Sequence, residues 1–357
     1  MFFRFLRLAF PVMAIMFAGV FANATDINPY GFVRFNGIWS DGVSGSSEQY
    51  GISFARLPGM YNSTMNERAS RFGFGVSQTT FGVDLGDSAY NGTLVLTGKF
   101  EGDFVYGYRL KHGFVDFSFP NIGLSILFGQ TFSLFAPYEA PTVNYTYLAS
   151  IGNLSAKHPQ IRLTQKLGTT EIAVAARRDG DYPAVEGRIG TTGQIKIGAS
   201  AFWATEKSAG VSYPHIEDHE RASWGIAADM FSSIGFINIS GEFFMGQNLS
   251  SYGGISKSYL YDARKYGIKS MGGWGALGLK ASEKLNFNAG LGLEAITEKI
   301  YWKDDPWFNR AVFANANYNI TPAAIIALEY FRHDTSYMDH DEDGFYNRIE
   351  TSITYGF

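Results

Sequence analysis

The 357 residues contain no cysteine, so neither disulfides nor thiolate chemistry contributes to the fold or to a reaction. Charged residues are scarce, at 17% of the chain. Beyond Ala24 no stretch offers the roughly 20 apolar residues of a membrane-spanning helix, which excludes an inner-membrane helix bundle. The net charge is −4, so the basic excess of a nucleic-acid binder is missing too. Aromatics and glycine are abundant instead, at 16% and 41 residues. A sheet closed in lipid needs both, as girdles at the two interfaces and as small residues where strands bend.

The N-terminus bears on location. Arg4 and Arg7 precede an apolar run from Leu8 to Val20, and Ala22-Asn23-Ala24 has the small-x-small pattern of a signal-peptidase site. Cleavage is expected after Ala24, giving a signal peptide at 1–24 and one domain at 25–357, 357 − 24 = 333 residues long. Loss of the two arginines takes the net charge to about −6.

The last ten residues, "RIETSITYGF", alternate strictly. Ile349, Thr351, Ile353, Tyr355 and Phe357 fall on one side of a strand, and Arg348, Glu350, Ser352 and Thr354 on the other. The same rhythm recurs from Asn28 onward. Gly31 to Trp39 sets Val33, Phe35 and Trp39 against Arg34 and Asn36. Thr93 to Phe104 sets Leu94, Leu96, Phe100 and Phe104 against Thr97, Lys99, Glu101 and Asp103. A parity change between Val76 and Phe81 predicts a β-bulge near Gln78. Short turns alternate with longer connections, one of the longer ones expected around Asp179.

This pattern predicts an all-β fold, a transmembrane antiparallel barrel of about 16 strands with long extracellular loops. A propeller would show blade repeats, and none recurs at fixed spacing. A soluble sandwich would have to bury many outward aromatics. Lipid satisfies both the alternation and the signal peptide, because closure pairs every backbone group in a phase without water. The terminal strand then closes the barrel, with Tyr355 and Phe357 as its assembly signal.

"SRFGFGVS" (Ser70 to Ser77), "KFEGDF" (Lys99 to Phe104), "YRLKHGFVDF" (Tyr108 to Phe117) and "LFGQTFSLFAP" (Leu127 to Pro137) occur in that order. Together they resemble the DcaP-like trimeric outer-membrane porins over about Ser70 to Arg162. The resemblance implies a Gram-negative outer-membrane location, a homotrimer, and passive uptake of small hydrophilic, often anionic solutes. Family members carry a coiled-coil segment ahead of the barrel, and none is found between Ala24 and Asn28.

The candidate pore-lining residues are Lys99, Glu101, Asp103, Arg109, Lys111, Glu139 and Arg162. Parity places Arg109 and Lys111 on the inward face, opposite Tyr108, Leu110 and Phe114. Charges on neighbouring strands around a wet lumen set ion selectivity, and the cations predict a modest anion preference. The connection from Phe132 to Pro159 contains Pro137, Pro141 and several aromatics, with Glu139 its only acid. As the third long loop, and a largely apolar one, it is expected to fold into the lumen. "DHDEDGFYNRIE" has the D-x-D-x-D-G-x₅-E spacing of a calcium loop, with Asp339, Asp341, Asp343 and Glu350 as candidate ligands. No other cofactor is expected. No serine, histidine and orienting acid share a face, so no enzyme is expected. The competing function is a surface-exposed structural or adhesion barrel without an open pore.

Overall fold

Alternating side chains leave each strand with one apolar face, and closure of the sheet leaves no unpaired edge. The computed structural model describes residues 26–41, 55, 70–105, 107–144, 148–179, 182–207, 220–255, 267–298, 306–338 and 340–357. The expected signal peptide lies outside the described residues.

The strands are β1 (Asp26–Asp41), β2 (Ser70–Gly75), β3 (Thr80–Ala89), β4 (Leu94–Asp103), β5 (Arg109–Phe119), β6 (Leu124–Phe132), β7 (Lys157–Leu167), β8 (Thr170–Asp179) and β9 (Tyr182–Thr191). They continue as β10 (Ile195–Lys207), β11 (Glu220–Ile234), β12 (Ile237–Gln247), β13 (Lys269–Lys280), β14 (Leu285–Ile296), β15 (Pro306–Asn319), β16 (Ala324–Tyr337) and β17 (Gly344–Gly356). β1 pairs antiparallel with both β2 and β3, each strand from β3 on pairs antiparallel with the next, and β17 pairs with β1 from Phe32↔Gly356 to Asp41↔Asn347. Two further bonds seal the seam, Gly31 N donating to Phe357 O at 3.1 Å and Phe357 N to Gly31 O at 3.0 Å.

β2 and β3 are two halves of one stave. β1 pairs with β2 through Asn36↔Gly75 and with β3 through Phe32↔Thr80, so three residues of β1 face the four from Val76 to Thr79. That one extra residue is the bulge predicted near Gln78, and with it the barrel has sixteen staves. The bulge turns Gln78 and Thr79 inward, where Gln78 Oε1 accepts from Arg34 at 3.1 Å and Thr79 Oγ1 accepts from Arg34 N at 3.2 Å. The seven short turns share one end with Asp26 and Phe357. At the other end the β8–β9 ladder runs out to Asp179↔Tyr182, so the long connection expected around Asp179 is a tight one.

Val33, Phe35, Trp203, Phe243, Leu277, Val312 and Ile353 are exposed on the outer face, as are Tyr355 and Phe357. A continuous apolar band of this extent belongs in lipid. Among the described residues no helix is long and apolar enough to cross a membrane; the strands do the crossing.

The connection between β6 and β7, here loop 3, folds into the interior. Leu134 N donates to Glu186 of β9 at 2.6 Å, Ala136 N to Ser200 of β10 at 3.3 Å, and Val143 N to Glu329 of β16 at 2.8 Å. The β15 amides of Asn309 and Asn315 donate to Ser150 O at 2.9 Å and Pro141 O at 2.8 Å. Arg34 of β1 donates to Val143 O at 3.0 Å. The loop therefore crosses the barrel, its backbone satisfied by wall side chains as buried backbone must be.

Apolar packing holds the rest of it. Phe135 and Leu154 join Phe202, Phe244, Leu249 and Tyr252, while Leu148 and Ile151 join Trp274, Phe313, Phe331 and Tyr346. Close approach depends on bare backbone. Gly152 has φ +101°, and a methyl group on Gly292 would collide with the Ile151 carbonyl. The turn at Leu249–Tyr252 dips in beside loop 3, where Ser150 N donates to Gly253 O at 2.7 Å. Ala55, from the first long connection, is pinned to β16 by Thr335 Oγ1 at 2.8 Å and the Tyr337 hydroxyl at 2.7 Å.

Candidate functional site: the barrel interior

On the β1–β5 side the inward face carries a charge ladder. Lys99 Nζ lies 3.2 Å from Asp84 and 3.8 Å from Glu101, and Lys111 Nζ lies 3.0 Å from Glu101. The Tyr30 hydroxyl donates to Glu101 at 2.6 Å, and Lys99 stands over the Tyr30 ring at 4.6 Å. Arg109 forks onto Asp103 at 3.0 and 2.6 Å. Each of these three cations is thus met by a carboxylate. The wall is charged but largely compensated.

Lys99, Glu101 and Lys111 form one network, with Asp103–Arg109 beside it. One detail of the expected parity is corrected. The β4–β5 register shifts between Glu101 and Gly102, so His112 faces Glu101 and Phe114 faces Lys99. Phe114 therefore points inward with the charges instead of away from them. Lys111 is the one extra β5 residue that the shift admits, so Arg109 still pairs with inward-facing Asp103.

The remaining two predicted lining residues lie apart from that network, around the base of loop 3. Glu139 is exposed and accepts from Lys157 at 2.9 Å and Ser155 at 3.1 Å. Arg162 donates to Gln160 Oε1 at 3.0 Å and to the Phe132 carbonyl. These hydrogen bonds go to amide and carbonyl oxygens.

A second charged face lies on β8–β11. Arg188 makes a bidentate pair with Asp229, bonded by both terminal nitrogens, with the Tyr138 ring 5.5 Å from its guanidinium. Burial pushes the Tyr138 phenol up. Deeper still, Arg177 Nε donates to Glu186 at 2.9 Å and to the Tyr252 hydroxyl at 3.0 Å. That hydroxyl in turn donates to Glu186 at 2.8 Å. Arg177 and Glu186 are 3% and 1% exposed, so this triad acts as a structural lock between wall, loop 3 and the Leu249–Tyr252 turn. The lock is not legible in the sequence, because its third member is more than sixty positions away.

Among the described residues, the calcium-loop candidates Asp343 and Glu350 are set apart. Asp339 lies outside the described residues, and β17 begins at Gly344. Glu350 follows six residues along an extended strand, roughly 20 Å away at about 3.4 Å per residue. It is buried in the interior 3.6 Å from Arg348, while Asp343 lies 3.5 Å from Arg310. The spacing that suits a helix-flanked loop is pulled straight by the hairpin. Among the described residues no group of three or more metal-ligating side chains gathers.

No protein-family model matches the chain, and no curated protein matches it by sequence. Solved structures do match in shape. The outer membrane channel DcaP of Acinetobacter baumannii superposes with a TM-score of 0.75 at 18% identity, over 93% of this chain and 97% of that one. The trimer form of OmpT, an outer membrane protein of Vibrio cholerae, gives 0.61 at 13% identity over 94% and 100%. An anion-selective porin from Comamonas acidovorans gives 0.59 at 12% over 93% and 99%. The chain has the closed antiparallel barrel fold of the outer-membrane porins.

Proposed function

We propose that this chain is an outer-membrane porin through which small hydrophilic solutes diffuse passively, with a modest preference for anions. The observation that carries this reading is the charge ladder on β1–β5. Asp84, Lys99 and Arg109 keep 50%, 27% and 38% of their side-chain surface accessible on the inner wall. Fixed charges around a wet passage are the device that sets ion selectivity. Arg162, hydrogen-bonded to neutral oxygens, adds a further fixed cation at the base of loop 3, and this favours a bias toward anions. The anion selectivity of the Comamonas porin is in line with it.

The protein sits in a Gram-negative outer membrane after loss of residues 1–24, with short turns and both termini on the periplasmic side. It assembles as a homotrimer, as one form of the Vibrio protein does. A structural barrel without an open pore is the second reading, favoured by the two apolar clusters that loop 3 makes with the wall.

Selectivity tests the first reading. Replacing Arg109 and Lys111 by glutamine removes two cations, leaving Asp103 without Arg109 and Glu101 with Lys99 alone, so the zero-current potential under a salt gradient should move toward cation preference. The shift should be largest at low salt, because screening acts over about 10 Å at 0.1 M. A potential unchanged by the double substitution would remove these residues from the conducting path.

A further inference from the structure

Beneath loop 3, toward the short turns, a cavity of about 340 Å³ opens against β8, β9 and β10. Tyr138, Glu171, Arg188, Thr191 and Lys196 line it. Arg188 is committed to Asp229 by its fork, and it lies flat on the wall because Gly198 has no side chain; a methyl group there would collide with the guanidinium. The Thr191 hydroxyl is also engaged, donating to Ile195 O at 3.1 Å.

Glu171 and Lys196 differ from these. Among the described residues neither makes an ion pair, and Lys196 rests 5.7 Å from the Phe231 ring centre. Glu171 stands across the ladder from Gly190, which stands across from Gly198, and Lys196 is two residues along the same face. Two inter-strand steps of about 4.8 Å and two residues of about 3.4 Å set their Cα atoms about 12 Å apart. Side chains of these lengths can close most of that distance from the two sides. The gap left suits one small molecule bearing both charges, and the volume is at the small end of ligand pockets.

We propose that this cavity binds zwitterionic amino acids, the α-ammonium on Glu171, the α-carboxylate on Lys196, and the side chain toward Tyr138. A simple anion would meet the Glu171 charge without compensation, and a simple cation would meet Lys196 and Arg188. Lys166, opposite Glu171 in the β7–β8 ladder, is the other ammonium that faces this carboxylate. The inference rests on the porin reading for its role in transport, but not for binding itself.

Three probes of one shape separate the charges: leucine, 4-methylpentanoate and isopentylamine. Calorimetry on the purified full-length barrel in detergent should give binding heat for leucine and at least about tenfold weaker binding for the two single-charge analogues, each of which forfeits one charge-assisted contact. In planar bilayers leucine should reduce ionic current in the same concentration range. Glu171→Gln and Lys196→Gln should each weaken leucine binding about tenfold, and Lys166→Gln should not. Equal binding of leucine and 4-methylpentanoate, or leucine binding indifferent to both substitutions, would overturn the site. A barrel that binds leucine but carries no current would overturn the porin reading and leave the site standing.

Discussion

Replacing Glu186 by alanine is expected to destabilise the folded barrel by about 3–5 kcal/mol, the cost of breaking a buried ion pair from one side. Arg177 would be left in the interior without its carboxylate, the Tyr252 hydroxyl would lose its acceptor, and Leu134 N would lose the bond that starts loop 3 on its path. Denaturant unfolding of the variant measures the loss. Limited proteolysis should show new cleavage within residues 133–156, because the first anchor of the loop is gone. Glu186→Gln should fall between, since an amide keeps the shape and some bonds but not the charge. A change within about 0.5 kcal/mol, the range of an ordinary surface substitution, would show that the triad does not hold the loop.

Gly292→Val is expected to act from the opposite side, by overpacking. The inward face at Gly292 is occupied by the Ile151 carbonyl and by the Leu148 side chain at 3.1 Å from an added Cβ. A branched side chain must push loop 3 off β14, at about 1–3 kcal/mol, and the displaced loop should alter single-channel current. Gly275→Val is the control. An added Cβ there meets nothing within 4 Å, and its ladder partner Leu291 is on the outer face. If both valine variants behave alike, close packing of loop 3 on the wall is not what fixes its position.

The wall of this barrel was readable from residues alone because its rule is local. Each residue's face follows from its neighbour's, so the closing strand from Arg348 to Phe357 and even the bulge at Val76–Thr79 appear as changes of parity. Phe114 shows where the rule fails. The register shift beside Gly102 is followed on β5 by His112 and Gly113, which suit either face, so no break in the pattern marks it. The interior was less legible for a different reason. Glu242 and Glu329 have the alternation of wetted wall acids, yet they accept from Tyr138 N and Val143 N, 104 and 186 positions away. Phe202, Phe244 and Trp274 likewise face inward against the expected polarity, because loop 3 and not water covers them. The calcium spacing is subject to the same limitation: six residues span one compact turn in a loop and roughly 20 Å in a strand.

Conduction by the purified full-length chain in a planar bilayer tests the central claim most directly. A preparation first shown to be folded by its heat-modifiable migration should insert with discrete conductance steps, grouped in threes if the trimer persists, and with a zero-current potential on the anion side under a salt gradient. Silence from that same folded preparation would contradict the porin reading and identify the chain as a plugged structural barrel.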